Sequence, residues 1–372
     1  MLDEGPAGVR AGTRSAGRLR VSSGWRQDLT AERRLAPRTL VVVMDREAGP
    51  PCGSSNQDMV WVLGGTFLMG SDRHYPEEAP AHRVRVDGFW IGRHPVTNHE
   101  FGRFVEATGH VTLAERAPDP SDYPGADPSL LVPASTVFRK PHYRVDLRDP
   151  YGWWVYLPGA DWRHPQGPAS SIDGLEEHPV VHVAWEDAEA YARWTKRQLP
   201  TEAEWEFAAR GGLEGATYAW GEEFTPRGRI MANIWQGEFP IVNTRRDGYE
   251  GTSPVGAFPP NRHGLVDMIG NVWEWTEDLY REHRTASTPC CAARSPAAGN
   301  REEGHDQTPG APIPRRVTKG GSHLCAPNYC RRYRPAARMA QPIDTSTCHL
   351  GFRCVVRPAH PPRRPEDAAG AL

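Results

Sequence analysis

Lysine is almost missing from this chain of 372 residues: Lys140, Lys196 and Lys319 are the only ones, and arginine carries the remaining positive charge. That scarcity reads as genomic codon bias and not as function. Net charge is scarce as well, at -2, which excludes any global attraction to nucleic acid or to an anionic membrane. No apolar run is long enough to cross a bilayer. No secretory signal is visible, because arginines are scattered through the first forty residues and Leu40 to Met44 is the only apolar stretch there. The familiar Cys-x-x-Cys spacing of zinc sites occurs nowhere, nor does EF-hand spacing. A glycine-rich phosphate loop, a His-Glu-x-x-His helix and a serine-nucleophile elbow are absent too. Those absences argue against nucleotide hydrolysis, zincin chemistry and α/β-hydrolase activity.

What the chain does have is glycine and proline, 37 and 36 residues, about a fifth of the total and well above average usage. A single loop-rich α+β domain with little regular secondary structure is expected, and thirteen tryptophans supply buried area that short elements lack. Seven cysteines (Cys52, Cys290, Cys291, Cys325, Cys330, Cys348 and Cys354) are an odd count and no disulfide framework, so a reducing, cytoplasmic setting is expected.

Residues 1–56 lack helical or strand periodicity and read as a disordered tail, with Met44 and Met59 as alternative starts. Residues 57–357 read as the domain, 284–314 as a mobile surface loop within it, and 358–372 as a second tail. Val60-Trp61-Val62 and Phe67-Leu68-Met69 flank Gly64-Gly65 and suggest a hairpin. His82 to Ile91 alternates polar and apolar residues as one half-buried strand does. Thr97 with Glu100, and Thr201 with Glu204, form capping boxes that open helices ending at Gly109 and Gly211. A further helix is expected over Glu186 to Arg197, with Ala188, Tyr191 and Ala192 inward.

The most informative stretch is Gly320-Gly321-Ser322-His323-Leu324-Cys325-Ala326-Pro327-Asn328-Tyr329-Cys330. Pro327 argues for a bent loop that brings both sulfurs to one point. From spacing alone four readings stay open. They are a zinc site completed by Cys348 and Cys354, a Cys325–Cys330 disulfide, a two-thiolate site for a soft ion such as Cu(I), and inert cysteines. A second constellation is acidic and carbonyl-rich: Asn233-Ile234, Asp247-Gly248-Tyr249, and Asp267 to Glu274. Loops of this kind supply oxygens to hard cations such as Ca²⁺, or simply turn the chain. Arg331, Arg332, Arg334 and Arg338 suit internal ion pairs or a peptide groove better than a nucleic-acid patch.

Taken together, these strings resemble the formylglycine-generating enzymes, or sulfatase-modifying factors, over about residues 59–356. The matching segments are Val62 to Gly70, His178 to Trp185, Leu199 to Glu206, Gly270 to Trp275 and Leu350 to Cys354. The discriminating element is Gly-Gly-Ser-x-x-Cys-x-x-x-Tyr-Cys, met by Gly320, Gly321, Ser322, Cys325, Tyr329 and Cys330. The resemblance implies that family's C-type-lectin-like fold and a prokaryotic-type oxidase. Such an oxidase uses O₂ to convert the cysteine of a Cys-x-Pro-x-Arg motif in an unfolded sulfatase to Cα-formylglycine. It implies Cu(I) on Cys325 and Cys330, with the hydroxyls of Ser322 and Tyr329 close to the oxygen and substrate site. Structural calcium is implied at two places. One uses Asn233 and Asp247 with the carbonyls of Ile234 and Tyr249, the other Asp267 and Glu274 with the carbonyls of Gly270 and Val272. A monomer free of membrane and nucleic acid is expected.

Departures from the family pattern carry information too. Of the four cysteines that form two disulfides in secretory members only Cys354 remains, and Ala192, Ala209 and Pro335 stand at the other places. Ala326 replaces a common histidine and His349 a common asparagine, and Cys348 has no implied role. The alternative is a non-catalytic binding module of the same fold. A sulfoxide synthase would need a preceding helical domain with metal-binding histidines, which residues 1–56 cannot hold.

Overall fold

Short strands pair across long stretches of sequence, and loops do most of the connecting. The computed structural model describes residues 58–283, 293–295 and 313–358. The expected tails and the expected 284–314 loop, with Cys52, Cys290 and Cys291, lie outside the described residues apart from 293–295, 313, 314 and 358. The strands are β1 (Met59–Val62), β2 (Gly65–Met69), β3 (His82–Val86), β4 (Phe89–Gly92), β5 (Ala134–Phe138), β6 (Trp154–Pro158), β7 (Trp273–Leu279), β8 (Ala293–Ser295), β9 (Arg315–Lys319), β10 (Arg338–Pro342), β11 (Leu350–Phe352) and β12 (Val355–Val356). Three α-helices join them among the described residues: α1 (Asn98–Thr108), α2 (Trp185–Trp194) and α3 (Glu202–Arg210). Among the described residues four small sheets result, ordered β1-β4-β12, β10-β9-β7-β11, β2-β3-β8 and β5-β6. The α+β, loop-rich class expected from composition is what forms.

The helices follow their sequence signals. Thr97 caps α1 by accepting from the Glu100 N–H, Glu100 returns the bond to the Thr97 N–H, and Gly109 closes the helix at φ 68°. Thr201 and Glu204 do the same for α3, which Gly211 ends at φ 56°. The helix expected to reach Arg197 stops at Trp194, because Lys196 turns left-handed at φ 56°.

Two strand expectations are corrected. β1 and β2 do not form a hairpin: β1 pairs with β4, and β2 with β3, both antiparallel. At Gly64 a Cβ would lie 2.5 Å from the Asp87 and Gly88 backbone, so the chain crosses between sheets there at close backbone approach. The same crossing breaks the single strand expected over His82 to Ile91 into β3 and β4.

A core of Phe89, Ile91, Phe101, Trp205, Trp273, Trp275 and Phe352 sits between the sheets and the helices. Buried ion pairs stitch it. Arg353 holds Glu274 at 2.6 Å, Lys319 holds Glu206 at 2.9 Å, and Arg338 holds Glu202 at 2.8 Å. Each charge has a partner, so none bears the full cost of burial alone.

Candidate active site

β9 ends at Lys319 and β10 begins at Arg338; the loop between them carries both thiols. Gly320 (φ 95°) and Gly321 (φ 72°) turn the chain out of the sheet. A Cβ on Gly321 would sit 2.9 Å from the Arg332 carbonyl oxygen, so only glycine lets the two limbs of the loop touch. Distant backbone pins the loop. The His323 N–H donates to the Asn271 carbonyl at 3.0 Å, and the Trp235 N–H to the Cys325 carbonyl at 3.0 Å. Asn328 exchanges two bonds with the Phe239 backbone, at 3.2 and 3.1 Å.

Within this frame the Sγ atoms of Cys325 and Cys330 stand 3.0 Å apart, and both cysteines are free. The bent loop expected from Pro327 is formed. Cys325 is buried, whereas Cys330 is partly open. Burial and the neighbouring Cys330 push the Cys325 thiol well up. Cys330 is lowered to about 7 by its hydrogen bond from Cys325 and by the backbone and guanidinium of Arg332, against the opposing pull of burial. The pair therefore favours one thiol and one thiolate sharing a proton.

Ser322 is fully buried, and its Oγ accepts from the Leu324 N–H at 3.2 Å, a loop-bracing bond. Tyr329 is 38% exposed, stacked on Phe239 at 4.6 Å and edge-on to Trp153 at 5.3 Å. Burial, and then both cysteines, raise its hydroxyl above the ordinary tyrosine range. Cys348 and Cys354 do not join the pair: both are buried thiols raised to about 12 by desolvation, and the Cys348 Sγ accepts from the Phe138 N–H. Among the described residues no three His, Cys, Asp or Glu side chains are placed to hold a metal, which removes the four-cysteine zinc alternative. Two convergent soft sulfurs with one open face suit a soft monovalent ion.

Residues far from the thiols in sequence complete the site. The Arg331 N–H donates to the Tyr75 hydroxyl at 3.0 Å, Arg332 lies over the Tyr75 ring at 4.1 Å, and its Nε donates to Glu77 at 3.1 Å. Arg334 is bidentate on buried Glu78. The arginine run is thus mostly internal ion pairs, with Arg331 exposed. His349 stacks on Trp154 at 4.9 Å. No local pattern marks Tyr75 and Glu77, which lie at a single 3-10 turn, Pro76–Glu78.

Of the oxygen-rich sets, Asp247 is half buried and desolvation raises its carboxyl; its Oδ1 accepts from the Tyr249 N–H at 3.1 Å and its Oδ2 has no partner. An orphaned buried carboxylate oxygen near Asn233 and Ile234 fits a hard cation. Asp267, raised to about 6 by desolvation, accepts from the Gly256 N–H at 2.6 Å. Glu274 is more fully committed, with Arg353 at 2.6 and 2.7 Å and the Trp205 indole at 2.7 Å. In the set of Asp267, Gly270, Val272 and Glu274, Asp267 is the carboxylate short of positive charge. The two sets adjoin: the Asn271 N–H donates to the Asn233 carbonyl at 2.8 Å.

Comparison with known proteins gives the family. Residues 45–358 match the sulfatase-modifying factor enzyme 1-like domain. A formylglycine-generating enzyme of Mycobacterium tuberculosis is 55% identical over 304 residues, 81% of this chain and 98% of that one. The inactive Cα-formylglycine-generating enzyme 2 of mouse is 39% identical over 310 residues, 82% of this chain and 87% of that one. In structure, PvdO from Pseudomonas aeruginosa has a TM-score of 0.54 at 23% identity, over 80% of this chain and 93% of its own, which shows the shared fold. The chain belongs to the formylglycine-generating enzyme family of sulfatase-modifying factors.

Proposed function

We propose that this chain is a copper-dependent oxidase that converts the cysteine of a Cys-x-Pro-x-Arg segment in a sulfatase to Cα-formylglycine, with O₂ as the oxidant. The observation that carries the proposal is the pair of free thiols, 3.0 Å apart on a pinned loop with one open face. An inactive relative at 39% identity makes family membership alone insufficient, so the weight falls on that pair.

Cys325 and Cys330 would hold Cu(I), which would bind the soft client thiol and supply an electron path to O₂. Arg332 favours the thiolate of Cys330, and Glu77 and Tyr75 hold Arg332 in place. Buried Cys325 shields the inner side of the pair from water. Tyr329 presents its ring to the incoming chain, and its hydroxyl is raised above the ordinary tyrosine range by burial and by the two cysteines, so it stays protonated as a donor. Ser322 keeps the loop bend. The oxidation takes two electrons and two protons from the client Cβ–S unit, and water then releases the sulfur as H₂S to leave the aldehyde.

Calcium would sit on Asn233 and Asp247 with the carbonyls of Ile234 and Tyr249, and on Asp267 and Glu274 with those of Gly270 and Val272. Both would pin loops that carry the Asn271 contact to the thiol loop. Absence of cysteine at 192, 209 and 335 supports a reducing, cytoplasmic setting, with the enzyme acting as a monomer. No helix among the described residues is long and apolar enough to cross a membrane.

The test is to incubate the protein with Cu(I), air and a Leu-Cys-x-Pro-x-Arg peptide and to measure aldehyde. Wild type should form it; Cys325→Ser and Cys330→Ser should each lose essentially all of it. Unchanged turnover in either variant, or none in wild type, would sink the assignment and leave a non-catalytic member of the fold.

A further inference from the structure

β6 is an edge strand, and Trp153, the residue before it, touches Tyr329 of the thiol loop. Its pairing with β5 keeps one register throughout, from Ala134↔Pro158 to Phe138↔Trp154. The flanking bonds fix which backbone groups face inward: the Arg139 N–H donates to the Trp153 carbonyl at 2.8 Å, and the Gly159 N–H to the Pro133 carbonyl at 3.0 Å. Antiparallel pairs alternate, so Val155 and Leu157 bond to β5 while Trp154 and Tyr156 turn their N–H and C=O outward. The partner side agrees: Thr136, opposite Tyr156, donates to the Ser346 carbonyl and accepts from the Cys348 N–H. The outward groups of Trp154 and Tyr156 have no partner among the described residues.

The edge is open, with Val155 40% and Tyr156 41% exposed. It is also continuous with the candidate active site. Trp153, just before the strand, touches the Tyr329 ring, and Trp154, its first residue, stacks on His349. An exposed row of backbone donors and acceptors is a template for an added strand. An extended polypeptide is the occupant that both satisfies that row and delivers a side chain to the thiols beyond its end.

We propose that the client polypeptide docks by adding a strand to the free edge of β6, so that its backbone bonds to Trp154 and Tyr156 and its target cysteine is carried past Trp153 to Cys325 and Cys330. The inference rests on the proposed oxidase function and names how that client is held. Recognition through main-chain groups tolerates varied flanking sequence, which suits an enzyme acting on several clients.

The experiment uses the whole protein and a peptide with Leu-Ser-Ala-Pro-Ala-Arg at its centre and several residues on either side, in which serine replaces the target cysteine. Residue-resolved amide exchange should slow at Tyr156 and Trp154 when this peptide is bound, while Val155 and Leu157, already bonded to β5, change little. Separately, Tyr156→Pro removes one outward N–H without touching a β5 bond, and it should raise the KM for the cysteine peptide about tenfold over Tyr156→Ala, as one lost hydrogen bond does. Bound peptide with unslowed exchange at Tyr156, or equal KM values in the two variants, would overturn the docking mode while leaving the oxidase standing. Failure to form aldehyde from the cysteine peptide would remove the function itself, and the docking proposal with it.

Discussion

At Cys330 two neighbours act in the same direction: Cys325, across a 3.0 Å gap, donates a hydrogen bond, and Arg332 adds a positive charge and a backbone donor. Removing a cation from beside a thiolate disfavours the charged form, so the thiol pKa must rise. In metal-free Arg332→Ala, the pH midpoint for alkylation of Cys330 should therefore move up from about 7. Glu77→Gln should loosen Arg332 and shift the midpoint in the same direction. Alkylation rates measured across pH would show it, and an unmoved midpoint in Arg332→Ala would contradict the role given to that side chain. The sequence displays Cys325, Cys330, Ser322 and Tyr329 together because one local loop holds them. Glu77 stands 255 positions from Arg332, and a contact of that span leaves no periodic or compositional trace. For Ser322 the resemblance implies a hydroxyl close to the oxygen and substrate site, and the structure adds a bond that no local pattern announces, from the Leu324 N–H to its Oγ.

At the scale of elements, local chemistry decides what forms and tertiary pairing decides where it goes. The capping boxes at Thr97 and Thr201 read correctly because both partners of each box lie within four residues. Thr97→Ala should cost about 1 kcal/mol of stability, measurable by denaturant titration. β1 and β2 read correctly as strands, but alternation specifies a face and not a partner, so the Gly64-Gly65 hairpin was the natural and wrong expectation. The thiol loop is an element of the same kind, defined by contacts and not by repeat. Gly321→Ala puts a Cβ within 3.0 Å of the backbone at Arg332 and Tyr333 in a left-handed conformation. Expected outcomes are a fold retained by circular dichroism and a loss of aldehyde formation of at least tenfold, since the two limbs that set the sulfur separation must part. Full activity in that variant would show that the close approach is incidental.

For the whole molecule, buried ionisable groups set a pH response. Burial lowers His182 and His323 to about 4, and His349 to about 3, against 6.5 for free histidine. The unfolded chain takes up these protons first, so stability falls as pH drops below 6.5. Asp267 and Asp278, raised to about 6 by desolvation, work the other way: between pH 6 and 3.8 the folded state binds their protons more readily. The lowered His178 and His263 and the lowered carboxyls of Glu202 and Glu206 add to the losses, and the raised Asp247 to the gains, so the balance is a loss of stability between pH 6 and 4 in the calcium-free protein. Denaturant midpoints at several pH values would measure that slope, and a flat profile would contradict it. Calcium on the Asp247 and Asp267 sets would add stability by mass action, so a chelator should lower Tm. An unchanged Tm would remove the ion from both places. Composition foretold the loop-rich architecture, and the proposed ions would complement it, since the short sheets and three helices of the described residues leave long segments to be fixed by other means. One measurement bears most directly on the whole: aldehyde and O₂ followed together, with the Leu-Cys-x-Pro-x-Arg peptide, in copper-loaded protein, copper-stripped protein and the Cys330→Ser variant. Aldehyde with matching O₂ uptake in the copper-loaded protein alone is the expected result. Aldehyde without copper, or from the Cys330→Ser variant, would contradict the central claim that these two thiols hold the metal that oxidises the client.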